Sequence, residues 1–139
     1  MKYLLVLTFL AICLVGCATD PVAAGFAGHY VLAKSTNTSF VLNVEQSGKS
    51  AKMHYLAGRD DGSGAAPGGD GEGMLNAKGE LEFPWTDTFD NAGTAILRRE
   101  GRLFHFSMKA SKITEPRALP FYGELTLKRT STKPQMSTR

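Results

Sequence analysis

The stretch ELEFPW, residues 80 to 85, puts Leu81, Phe83 and Trp85 on one side of an extended chain and Glu80, Glu82 and Pro84 on the other. Successive side chains of a strand point to opposite faces, so this period of two predicts a strand with one buried face. Pro84 lacks an N–H for a ladder hydrogen bond and predicts an edge, a bulge or a fraying end at that point.

The same period runs outward in both directions. Upstream, HYVLAK opens the pattern, and SFVLNVEQ alternates Phe40, Leu42 and Val44 with Asn43 and Glu45. SGKS turns the chain into AKMHYLA, where Ala51, Met53 and Tyr55 oppose Lys52 and His54, and GMLN precedes the turn NAKGE. Downstream, DNAG leads to TAILRR, and REGR closes a hairpin into LFHFSMK, with Phe104, Phe106 and Met108 opposite His105 and Ser107. The connection ASKITEPRALP leads to FYGELTLKR, read with Phe121, Gly123, Leu125 and Leu127 on one face and Tyr122, Glu124, Thr126 and Lys128 on the other. No stretch of this region carries a helical stripe.

About eight strands joined mostly by short turns imply antiparallel neighbours. The fold class read from this is all-β, an antiparallel up-and-down meander closing into a small lipocalin-like or inhibitor-like barrel, which removes exposed edges. A two-sheet sandwich is the competing architecture. The expected organisation is a leader over 1–16, a tether over 17–27, a barrel over 28–129 and a disordered tail over 130–139. Arg117, between Pro116 and Ala118, is read as a charged plug at the barrel mouth, with an interaction residue as the alternative.

The leader has a chemistry of its own. Lys2 precedes an apolar run of 13 residues, Tyr3 to Val15, shorter than the ~20 that a membrane-spanning helix needs. It ends in Leu14-Val15-Gly16-Cys17, which resembles the lipobox of bacterial lipoproteins. The resemblance implies cleavage before Cys17, lipidation of Cys17 and, with Ala18 following, an outer-membrane site facing the periplasm. Cys13 and Cys17 are the chain's two cysteines, so the processed chain of 123 residues has no pair for a disulfide and must be held by packing alone.

Charge is uneven. Residues 60 to 90 carry eight carboxylates against Lys78, a net of −7, and residues 92 to 139 carry ten Lys or Arg against three Glu, a net of +7. Such asymmetry marks either a partner of opposite charge or strands that neutralise each other across a sheet. Nucleic acid is not an expected partner, because the basic half lacks interleaved aromatics.

Gly58 to Gly73, GRDDGSGAAPGGDGEG, reads as a long acidic, glycine-rich loop between strands. Its Asp60, Asp61, Asp70 and Glu72 are the candidate partner-binding residues, on a loop whose glycines permit close approach. A solvated hairpin connection is the plainer reading. Calcium is disfavoured, because the spacing does not match the alternate ligands and terminal Glu of the twelve-residue calcium loop. His29, His54 and His105 fall on three different strands without partners at ligand spacing, so no metal and no cofactor are expected. No serine sits in a glycine elbow, so a non-catalytic protein is expected.

In size, leader and strand pattern the chain is similar to small lipid-anchored periplasmic barrels that inhibit lysozyme, although those usually carry paired cysteines in the body. The resemblance implies a protein-binding lipoprotein that inhibits a cell-wall hydrolase, with a basic protein as partner. A carrier of a small apolar ligand and a structural or assembly lipoprotein of the envelope are the alternatives.

Overall fold

The structure, a computed structural model, describes residues 25–34 and 36–135; the leader and Cys17 lie outside them. Eight strands follow one another: Gly28–Leu32 (β1), Thr38–Ser47 (β2), Ser50–Arg59 (β3), Gly68–Leu75 (β4), Leu81–Asp87 (β5), Ala92–Glu100 (β6), Leu103–Lys112 (β7) and Gly123–Ser131 (β8). Each pairs antiparallel with the next, and β1 pairs with β8, so the sheet closes into a barrel in chain order. The sandwich alternative is thereby excluded.

The inward faces are those the period of two requires. Phe40, Leu42 and Val44 of β2, Met53 and Tyr55 of β3, Leu81, Phe83 and Trp85 of β5, and Phe104, Phe106 and Met108 of β7 are all buried. An eight-stranded barrel is just wide enough for side chains to fill, and aromatic rings fill this one. Phe40 stacks on Tyr55 with ring centres 5.3 Å apart, and Tyr30 meets Phe104 edge to face at 4.9 Å. Burying each such ring contributes roughly 1.5–3 kcal/mol.

Two expectations about the strands change. Gly68–Leu75 is a strand, so the connection shrinks to the residues between Arg59 and Gly68. Inward positions 69, 71 and 73 are glycine because their neighbours leave no room. A Cβ at Gly69 would lie 2.6 Å from the Tyr55 ring, and one at Gly73 would lie 2.0 Å from the Glu82 carbonyl oxygen. Pro84 marks neither an edge nor a frayed end. It pairs with Thr94 in mid-strand, and its cost is a gap in the β4–β5 ladder, which runs from Gly69↔Asp87 to Gly71↔Trp85 and resumes at Met74↔Glu82.

The folded part also extends past both expected boundaries. Phe26, placed in the tether, packs into the core, and β8 runs to Ser131. Beyond β8, the Gln135 N–H donates to Asn43 Oδ1 at 2.9 Å. Among the described residues, all strand pairings and all core residues lie between residues 26 and 131.

Candidate functional site

An up-and-down barrel sorts its connections between two ends. The chain enters at Gly28 and leaves at Ser131 at one end, which also holds the β2–β3, β4–β5 and β6–β7 turns. The opposite, far end gathers the other four connections: 33–37, 60–67, 88–91 and 113–122.

The far end is locked by a buried polar network. Asp87 continues the inward register of Leu81, Phe83 and Trp85, and is 6% exposed. Its Oδ1 accepts the Phe89 and Asn91 N–H groups at 2.8 and 2.9 Å. Its Oδ2 accepts the Asn91 side-chain amide at 2.9 Å and the Tyr122 hydroxyl. Asn91, fully buried, passes the connection on: its amide donates to the Glu115 carbonyl at 3.2 Å, and its Oδ1 accepts Thr114 and Glu115 N–H at 2.7 and 2.9 Å. Asp87 and the Asn91 side chain therefore have every bonding position occupied. The network ties the β5–β6 turn to the β7–β8 connection 24 residues away.

That connection contains a 3-10 helix, Pro116–Phe121, which the apolar pattern did not announce. Pro116 suits a first turn, where its missing N–H has no partner to lose. Glu115 caps the helix by accepting the Arg117 N–H at 2.9 Å. Arg117 is not the plug: its side chain is 76% exposed and its guanidinium pairs with Glu115 at 2.8 Å. Ala118 and Phe121 are buried and do the plugging. The Arg117 partner, with its side-chain and backbone bonds, holds the Glu115 carboxyl down at about 2.

Tyr122 also departs from its expected outward position. Its ring lies 4.8 Å from Trp85 and 6.2 Å from Tyr55, and its hydroxyl accepts the Tyr55 hydroxyl at 3.1 Å. Burial pushes both phenols far above their ordinary range, and Asp87 adds to the effect. Both stay protonated and act as donors, not bases. Trp85 Nε1 is buried without a hydrogen-bond partner among the described residues.

The four acidic candidates separate. Asp60 and Asp61 stand exposed on the far-end turn, which is pinned by Asp60 N–H to the Asn37 carbonyl at 3.1 Å and by Ala57 N–H to the Pro67 carbonyl at 2.8 Å. Asp61 accepts both the N–H and the hydroxyl of Ser63, at 2.9 and 2.7 Å, and these bonds lower its carboxyl below the usual carboxylate range. Asp70 and Glu72 instead lie on the outer wall, where Asp70 meets His54 at 2.7 Å and Glu72 meets Lys52 at 3.4 Å. Part of the acidic segment is thus neutralised by β3 and not by the basic C-terminal half. His105 meets Glu100 at 2.6 Å, and His29 lies 2.9 Å from Asn43 Oδ1.

Between the 60–67 turn and the 3-10 helix is a cleft of about 310 Å³, lined by Arg59, Ser63, Ala65, Arg117, Pro120 and Phe121. Among the described residues no group of three His, Cys, Asp or Glu side chains is placed to hold a metal ion. Asp87, Asn91 and Tyr122 escaped the sequence reading, yet Asp87 left a signal: it is a carboxyl at the next inward position after Trp85. Compared with protein-family models, with curated proteins and with solved structures, the chain has no match.

Proposed function

We propose that this protein is a lipoprotein anchored through acylated Cys17 in the outer membrane and facing the periplasm. There it acts as a non-catalytic protein-binding module whose contact face is the far end of the barrel. The target class that suits the acidic 60–61 turn of this face best is a basic cell-wall hydrolase of the lysozyme kind. The observation that carries the reading is the pairing of an exposed acidic turn, Asp60 and Asp61, with a scaffold saturated in hydrogen bonds at Asp87 and Asn91. Such a face is preorganised, so little ordering cost is paid on binding.

The carrier reading loses support because rings occupy the interior: Tyr30, Tyr55, Phe83, Phe104 and Phe106 are each exposed by 2% or less. The network at the mouth has its acceptors filled, which favours a holding role over acid–base chemistry.

Residues 18 to 139 are tested for binding and inhibition of lysozyme-type hydrolases across a salt series. Charge-driven association weakens as salt rises. D60N/D61N is expected to weaken binding at least about tenfold, the scale of one or two lost charge pairs. D70N/E72Q, on the wall, is expected to change little. If no hydrolase binds, or if the wall pair matters and the turn pair does not, the reading fails.

A further inference from the structure

Charge is polarised along the barrel axis. The end where the chain enters and leaves the barrel carries six exposed cations on its turns and strand ends: Lys49, Lys78, Arg98, Arg102, Lys128 and Lys133. None of them forms an ion pair among the described residues. The carboxylates at this end are Glu45, Glu80, Glu82 and Glu100, and Glu100 is bonded to His105. At the far end Asp60, Asp61, Asp90 and Glu115 offset Lys34, Arg59, Lys112 and Arg117. The sequence is basic along its last third, and the topology brings Arg98, Arg102, Lys128 and Lys133 of that third to one end, adding Lys49 and Lys78 from distant turns.

Two further observations select the partner. Leu103, 41% exposed, sits at the β6–β7 turn beside Arg102 and opposite Lys128 in register, so an apolar side chain projects from the basic rim. The chain between Cys17 and Gly25 spans at most about 28 Å when fully extended, which keeps this end near anything that holds Cys17.

We propose that this end of the barrel docks on anionic phospholipid headgroups, standing the barrel upright with its far end directed away from the bilayer. The choice of a bilayer as occupant rests on the reading of Cys17 as a lipid anchor; the charge distribution does not. Each cation facing an anionic surface strengthens binding by roughly fivefold, and the effect fades beyond about 8 Å at physiological salt.

The test uses residues 18 to 139, which contain every described strand and core residue and lack Cys17. Sedimentation is measured with vesicles of phosphatidylcholine mixed with phosphatidylglycerol and with vesicles of phosphatidylcholine alone. Salt-sensitive binding to the anionic vesicles only is expected. R98Q/R102Q/K128Q/K133Q should lose at least about tenfold of it, while K34Q/K112Q at the far end keeps it. Unchanged thermal unfolding shows that each variant folds.

Equal binding to both vesicles, no binding, or equal loss in the two variants overturns the proposal. So does capture of an acidic protein through the same four residues without vesicle binding. Mass spectrometry of Cys17 in the full chain from membranes tests the anchor separately. Vesicle binding with unmodified Cys17 sinks the anchor and keeps the docking face; acylated Cys17 without vesicle binding does the reverse.

Discussion

The two ends of the barrel are closed by different physics. At the far end a carboxyl, an amide and two phenols saturate one another in a buried network around Asp87. At the other end an apolar ring does the work: Phe26 folds in against Phe104 at 6.3 Å, and the Tyr30 hydroxyl donates to the Phe26 carbonyl. Arg99 and Arg129 lie over Phe104 at 5.6 and 5.2 Å, and Arg129 also donates to the Gly25 and Ala27 carbonyls at 3.0 and 3.2 Å. A plug of rings tolerates small displacements, because dispersion is non-directional. A saturated polar network does not, since each broken bond leaves a buried group unsatisfied. The end proposed to meet a protein is therefore the stiffer one.

Asp87→Ala should be the most damaging single change, costing about 3–5 kcal/mol, because it strands the Tyr122 hydroxyl and three donors in a buried site. Denaturant unfolding reads it, and a cost below 1 kcal/mol would mean that the network does not lock the far end. Phe26→Ala should cost about 3 kcal/mol, the low end of the range for removing a packed ring, with the far-end cleft unaffected. If Phe26→Ala equals or exceeds Asp87→Ala, the contrast between the ends is wrong.

Alkaline unfolding probes both ends at once. Burial pushes the Tyr30 phenol up to about 12 and raises Tyr55 further, while the unfolded value is 10.0. A raised folded value means stability that is complete below pH 10 and lost as pH climbs through the window above it. Each phenol contributes a slope of about 1.4 kcal/mol per pH unit. Tyr30→Phe and Tyr55→Phe should each remove one such increment in unfolding curves recorded from pH 9 to 12. An unchanged slope in either variant would show that the phenol titrates alike in both states.

The smallest effect is on the surface. Glu115, held at about 2 against an ordinary 4.5, contributes stability that is present above pH 4.5 and disappears as pH falls toward 2. Arg117→Ala should lie slightly below the parent in melting temperature at pH 6 and converge with it near pH 2. A constant gap would mean that the pair is not the cause.

The strands were legible wherever a bulky residue marked the inward face, as in β2, β5 and β7, and barrel closure followed from short turns between them. Of β4 only its end, in GMLN, was legible; its first part was not, because its inward marker is a missing side chain. GGDGEG obeys the same period of two, with glycine inward and carboxylate outward, but glycine and aspartate in a run also describe a loop. Tyr55, Met53 and Phe83 take the space that those glycines vacate, a relation that no local pattern contains. Tyr122 was misplaced for a related reason. The 3-10 helix before it breaks the alternation, so the adjacent Phe121 and Tyr122 both turn inward, while Gly123, Leu125 and Leu127 keep the expected face. The Asp87 network joins residues up to 67 positions apart, and only the topology brings them together.

The seam between β1 and β8 has a consequence for how the molecule comes to be made. Every other pairing joins neighbours along the chain and can form as each hairpin is completed. β1 has just five residues, and its outer partner is the last strand synthesised. A chain waiting for that strand presents two open edges. In this interval a second copy offers the same edge, and terminal strands can be exchanged between copies. The finished seam is close-fitting, since a Cβ at Gly28 would stand 2.3 Å from the Ser131 carbonyl oxygen. Dilution during refolding should therefore favour the monomer, and crowding should favour a dimer closed by the same hydrogen bonds.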